Sequence, residues 1–207
     1  MRALVIYCHP APQSFTAAVR DQVLARLAAA GAEVRLHDLY ARGFAPALTR
    51  AEWEGYADSP ANRAAVAEEV ADLGWCDTLI FIYPTWWYGL PALLKGWLDR
   101  VLLPGVAFLM PAPGGDIRPG LTHVTRLGVF TTCGASRGLT FLVGAPGRRT
   151  LLLGLRLLCA RRCRTGFAAH YAMDSSTPAR RARHLARVAR TADRLFRPGA
   201  GRGAARR

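Results

Sequence analysis

The chain has 207 residues, 51% hydrophobic and 20% charged, enough to bury one sizeable core without staples. No apolar run approaches the roughly 18–20 residues of a bilayer span, and M-R-A-L-V-I-Y-C-H-P is too briefly apolar for a signal peptide, so a soluble, cytoplasmic protein is expected. The net charge of +14 is carried almost wholly by arginine, Lys95 being the one lysine, and its placement on one C-terminal helix and tail argues for a solvated face over a nucleic-acid partner.

In chain order, A-L-V-I-Y-C is a short apolar run suited to a strand covered on both sides. Ser14 caps a helix running to about Ala30, with Gly31 as its stop. E-V-R-L-H-D-L is the second strand. Thr49 and Glu52 have capping-box spacing for a short helix, and N-R-A-A-V-A-E-E-V-A-D-L reads as another. T-L-I-F-I-Y is the third strand, followed by an aromatic turn and the helix L-P-A-L-L-K-G-W-L-D-R-V-L. A Pro/Gly-rich loop from Pro104 to Gly120 leads to a fourth strand, V-T-R-L-G-V-F-T-T. A helix near R-R-T-L-L-L-G-L-R-L-L and a weaker strand, C-R-T-G-F-A-A, come next. Thr177 caps the last helix with Pro178 at its first position; Leu185, Val188, Ala189, Ala192, Leu195 and Phe196 form its inward stripe. The expectation is an α/β fold, a doubly wound parallel sheet of five strands in the flavodoxin-like order 2-1-3-4-5 with helices on both faces. It forms one domain over residues 1–196, and 197–207 is expected to be a disordered basic tail.

Cys8, Cys76, Cys133, Cys159 and Cys163 make an odd set without secretory context, so reduced thiols are expected. Cys159 and Cys163 are spaced C-x-x-x-C, but a structural zinc needs four convergent ligands and no second pair is suitably placed. No metal is expected.

Ligands in such sheets sit beyond the carboxyl ends of the strands. The first end, C-H-P-A-P-Q-S-F-T, lacks both G-x-G-x-x-G and the P-loop lysine. It offers His9, Ser14 and Thr16 beside helix amides that favour an anion; simple capping by Ser14, with Phe15 turned inward, accounts equally well for the stretch. The second, Y-P-T-W-W-Y-G, projects Trp86, Trp87 and Tyr88 from a buried strand, some of them serving the core and some a flat stacking wall. The third, T-T-C-G, supplies Thr131 and Thr132, with Gly134 letting amides approach a ligand.

Y-P-T-W-W-Y-G-L-P-A-L-L-K-G-W-L-D-R-V, with H-P-x-x-x-S-F-T upstream and T-T-C-G downstream, resembles the flavodoxin-like NAD(P)H:quinone oxidoreductases, the DT-diaphorase group, over most of residues 2–170. The resemblance implies FAD (FMN in some relatives), NAD(P)H as co-substrate, a homodimer, and ping-pong two-electron transfer to quinones or similar flat acceptors. By matching motif, His9, Ser14, Phe15 and Thr16 would hold the flavin phosphates and ribityl chain. Pro84, Thr85, Trp86, Trp87 and Tyr88 would line the ring, with Thr131, Thr132, Cys133 and Gly134 along its polar edge. Trp87 and Tyr88 would also face the acceptor. Cys133 stands where the family usually has the first glycine of T-T-G-G. The tyrosine and histidine that follow in better-known members are missing, and His170 and Tyr171 are candidates to supply such groups to the substrate. No side chain is assigned as a catalytic acid or base. Two other readings exist: a flavin-bearing regulatory subunit of a membrane potassium-efflux system, which would give a membrane-protein partner, and an arginine-rich nucleic-acid-binding domain.

Overall fold

The computed structural model describes residues 1–111 and 115–197. The expected disordered tail falls almost wholly outside this range. Five parallel strands, β1 (Arg2–Tyr7), β2 (Glu33–Asp38), β3 (Thr78–Thr85), β4 (Arg126–Cys133) and β5 (Arg164–His170), lie in the order β2-β1-β3-β4-β5. That is the order expected from the sequence. The central strand β3 is buried along its whole length except at Thr85. Its side chains divide by the two-residue period of a strand. Leu79, Phe81 and Tyr83 enter one core layer, and Ile80 and Ile82 enter the other.

The second layer is built by α1 (Phe15–Ala29) and α7 (Pro178–Phe196). Ser14 accepts a hydrogen bond from the Ala17 amide at 3.2 Å and Gly31 turns left-handed at φ +64°, which are the start and stop expected for α1. Thr177 caps α7 with Pro178 at its first turn. Val188, Ala192, Leu195 and Phe196 are buried as anticipated, and His184 and Thr191 share that face. Arg26 of α1 donates to Asp193 of α7 at 2.6 Å, tying the two helices together.

On the opposite face pack α3 (Ala67–Trp75) and α4 (Ala92–Val101), with the short α2 (Arg50–Glu54) held outside them through Glu52. Thr49 and Glu52 form the expected reciprocal capping box. Arg100 then grips Glu52 through Nε at 2.8 Å and also donates to the Ala45 carbonyl at 2.6 Å. The glycine of K-G-W is required by packing: a Cβ on Gly96 would lie 2.2 Å from the Pro46 carbonyl oxygen. Beside it, Trp97 is fully buried, edge-on to Phe81 at 5.9 Å, so this aromatic belongs to the core.

Three features differ from the expectation. The stretch after β4 starts with a helix not read from the sequence, α5 (Arg137–Leu142), capped by Ser136. The anticipated helix over 148–158 is broken into one α turn, α6 (Pro146–Arg149), a π turn to Gly154 and a 3₁₀ turn to Leu158. Leu151 and Leu155 enter the core while Leu153 and Leu157 face outward, so the apolar run was not one stripe. The loop from Pro104 to Gly120 carries a short antiparallel ladder, Phe108–Leu109 against Arg118–Pro119. Among the described residues no helix is long and apolar enough to cross a membrane.

Candidate functional site

The carboxyl ends of β1, β3, β4 and β5 surround an open cleft of about 870 Å³. Of the residues nominated from sequence, His9, Pro84, Thr85, Trp86, Trp87, Tyr88, Thr132, Cys133 and Gly134 line it. Ala135, Leu139, Met173 and Asp174 complete the lining and were not nominated.

The wall after β3 has an unusual backbone. The Gly89 amide donates to the Trp86 carbonyl at 2.9 Å, closing a tight turn whose two central residues, Trp87 and Tyr88, both have positive φ, +49° and +62°. Such turns ordinarily use Asn-Gly, because a side chain in the left-handed region crowds its own backbone. Here the strained pair leaves the Trp87 indole 95% exposed. Gly147 supports the turn from behind; a Cβ there would meet Gly89 and the Tyr83 hydroxyl at 3.3 Å. His9 faces Trp86, with ring centroids 6.4 Å apart. Its Nδ1 accepts from the Ala11 amide at 3.0 Å, leaving Nε2 as the N–H. Burial lowers its basicity, so the ring is neutral at pH 7.

Threonine hydroxyls brace the floor. Thr16 and Thr132 share a hydrogen bond of 3.0 Å, and Thr85 and Thr131 one of 2.8 Å. Thr16 therefore ties the start of α1 to the end of β4, Thr131 ties β4 to β3, and neither lines the cleft itself. Cys133 is buried with Sγ 3.7 Å from the Thr140 hydroxyl, so its side chain turns toward α5. Gly134 lies beneath Asp174: a Cβ on it would come within 3.0 Å of Asp174 Oδ2. Asp174 is the one carboxylate in the lining.

Phe15, His170 and Tyr171 belong elsewhere. Phe15 packs edge-on against His170 at 5.1 Å and near His184 at 5.9 Å, the inward orientation that competed with a ligand role. His170 Nε2 is 2.7 Å from the Ser176 hydroxyl. With Tyr171 it lines a second pocket of about 430 Å³, which shares the 134–137 and 171–174 segments with the main cleft and gathers Arg137, Arg180, Arg183 and Arg187. His184 also reaches this pocket, and its buried Nε2 has no partner among the described residues. Burial first, and then His170 and Arg187, depress its pKa to about 4. The sequence concealed this pocket because its arginines follow the same i, i+3, i+4 spacing as a solvated helix face.

An open parallel sheet of order 2-1-3-4-5, with a ligand-sized cleft across its carboxyl edge, defines a flavodoxin-like protein. Residues 1–192 match the family model described as flavodoxin-like fold, and the chain belongs to that family. It is 32% identical over 157 residues to ribosyldihydronicotinamide dehydrogenase (quinone) of Rattus norvegicus, covering 67% of this chain and 66% of the relative. It is also 32% identical over 168 residues to NAD(P)H dehydrogenase (quinone) 1 of Cavia porcellus, covering 73% and 60%. The chain thus spans about half to two thirds of the length of the curated relatives it matches. Among solved structures, an NAD(P)H:quinone oxidoreductase from Methanothermobacter marburgensis superposes with a TM-score of 0.80 at 25% identity, over 96% of this chain and 98% of the other.

Proposed function

We propose that the cleft binds a flavin and that the protein is an NAD(P)H dehydrogenase acting on quinones or similar flat acceptors. The observation that carries this reading is the Trp86–Gly89 turn, which spends backbone strain to hold an indole in water at the mouth of a cleft. Strain of this kind concentrates at ligand sites. The likeness to quinone reductases supports the same conclusion.

The residues present fit a flavin. Trp86, Trp87 and Tyr88 offer a stacking wall, and the amides after Thr132 supply donors to the polar edge of the ring. Ser14 and the first turn of α1 provide an N-terminal anion site. When bound, the flavin supplies the two-electron chemistry between NAD(P)H and the acceptor. His9, Thr16 and Thr132 position the floor, and on this reading NAD(P)H and the acceptor take turns at the open side in a ping-pong exchange.

The basic pocket favours FAD over FMN, because Arg180, Arg183 and Arg187 can neutralise a second phosphate. A homodimer accounts for Leu139, Phe141 and Leu142, which are exposed on α5 beside the cleft. All five cysteines are free thiols, in keeping with a cytoplasmic location. The test is an absorption spectrum of purified protein with mass analysis of what denaturation releases, followed by NAD(P)H consumption with a naphthoquinone. Yellow protein that releases FAD and turns over is expected; colourless protein that takes up neither flavin nucleotide refutes the reading. R183E should raise the Kd for FAD at least about tenfold and leave that for FMN unchanged.

A further inference from the structure

The cleft occupies the carboxyl edge of the sheet, and a separate concentration of charge lies at the amino edge. There α1 and α7 end beside the first residue of β4, Arg126. Between them is a pocket of about 680 Å³, lined by Arg26, Arg126, Arg197 and Asp193 with an apolar wall of Ala29, Ala30 and Phe196. Asp193 and Arg197 also line a smaller pocket of about 270 Å³, together with Arg190 and Arg194. Sharing these two residues, the pockets adjoin as one groove along the last turns of α7.

Five arginines thus line the groove with one carboxylate, and that carboxylate is taken, since Arg26 Nε donates to Asp193 at 2.6 Å. Arg126 is the cation whose needs are least met. Strand register sets it beside Arg164 of β5, on the face of the sheet where Leu195 of α7 packs. Arg164 donates to the carbonyls of Arg194 and Arg197 at the end of α7, where the helix dipole favours a cation. Arg126 has no such use. Its side chain is 18% exposed, its ion pair with Asp77 is a long 3.6 Å, and its buried Nε has no partner among the described residues. A guanidinium so placed has given up most of its water for little return, a cost that an anion in the pocket would offset. The carboxyl ends of α1 and α7 together cancel about one positive charge, so the groove keeps a surplus of roughly three.

We propose that this amino-edge groove binds an oligophosphate, a run of linked phosphate groups carried by a nucleoside triphosphate or by an inorganic chain. Guanidinium groups meet phosphate oxygens with paired donors and keep their charge at any physiological pH. Arg190, Arg194 and Arg197 follow one another at helical spacing and are neighbours on the surface of α7. A chain of phosphates can offer oxygens to each in turn, and Arg197, common to both pockets, leads on to Arg126. A lone anion meets one or two of them. The groove is at the opposite edge of the sheet from the cleft, so its occupancy stands apart from the flavin reading.

The test is calorimetric titration of the full-length protein with tripolyphosphate, adenosine triphosphate, citrate and orthophosphate at one fixed ionic strength. Tripolyphosphate should bind, and orthophosphate and citrate should bind at least about tenfold more weakly, the loss of one charge-assisted contact. Adenosine triphosphate binding more tightly than tripolyphosphate makes a nucleotide the source of the chain; equal or weaker binding makes it the inorganic polymer. R126Q and R197Q should each raise the Kd for tripolyphosphate at least about tenfold. Arg126 Nε leaves no partner behind and Arg197 is exposed, so both variants should melt as the parent does, and R197Q carries the test should R126Q not fold. R183E, in the pocket beside the cleft, should bind tripolyphosphate like the parent. Orthophosphate or citrate as tight as tripolyphosphate, an unchanged Kd in R197Q or in folded R126Q, or a larger loss in R183E than in either would each overturn the proposal. So would binding to duplex DNA or anionic vesicles by a protein that ignores tripolyphosphate.

Discussion

Replacing Trp87 by glycine separates two roles that one residue combines. In the folded chain Trp87 holds φ at +49° with its indole almost wholly in solvent. A left-handed conformation costs a non-glycine residue roughly 1–2 kcal/mol, and glycine returns part of that saving, roughly 0.5–1 kcal/mol, through its larger loss of freedom on folding. Because the exposed ring contributes little burial, Trp87→Gly should leave the protein as stable as the parent or about 1 kcal/mol more so. Trp87→Ala removes the same ring but keeps the strain, and should be about 1 kcal/mol less stable than the glycine variant. In a thermal melt that gap is about 2–4 °C for a chain of this size. Both variants lose the stacking wall. At about 1–3 kcal/mol for the ring's contact and burial, the flavin Kd should rise about 5- to 150-fold in each. Melting followed by circular dichroism, and flavin titration followed by fluorescence quenching, read the two effects separately. A glycine variant less stable than the alanine one would mean that the turn is unstrained. An unchanged flavin Kd in both would remove Trp87 from the site.

Gly96→Ala should cost about 1–3 kcal/mol in urea denaturation, because its methyl group must displace the Pro46 backbone; a loss below about 0.5 kcal/mol would show that the 45–47 segment yields freely. His184 titrates near 6.5 when unfolded and near 4 when folded, so between those values the unfolded chain binds the extra proton and stability rises with pH. Roughly 3 kcal/mol is at stake from this group between pH 7.5 and pH 4, and His184→Phe should flatten the dependence; a variant with the parent's pH profile would refute the assignment. Asp174→Asn removes the one carboxylate of the cleft lining and should favour reduced over oxidised flavin by about tenfold, read as a midpoint potential about 30 mV higher; an unmoved potential would place the carboxylate too far from the ring to act.

The strand order and most helix ends were legible because their signals are local. Ser14, the Thr49–Glu52 box, Gly31 and Thr177–Pro178 each specify a boundary within a turn or so of sequence. The aromatic turn and the T-T-C-G end announced a site for a related reason: large rings and small hydroxyls at buried strand ends have few structural uses. What stayed hidden depends on distant contacts. Leu151 and Leu155 face inward while Leu153 and Leu157 do not, a choice made by the sheet beneath them and not by the run itself. Asp174 has no local signal of its own: it enters the cleft because the fold sets it over Gly134, forty positions away in sequence. Thr16 and Thr131 had the right chemistry for a ligand, yet each finds a second threonine across a strand end and becomes a brace. The π turn at 150–154 has no sequence signature beyond an apolar stretch with one glycine.

The uncovered indole has a bearing on how the protein behaves when scarce. Trp87 lines the cleft together with Leu139 of α5, the helix that also exposes Phe141 and Leu142, so on the proposed reading a coenzyme and a second subunit would shelter neighbouring parts of one greasy rim. Each then raises the apparent affinity of the other by mass action. Dilution should consequently bleach the protein and dissociate it together, and adding free flavin should push back both.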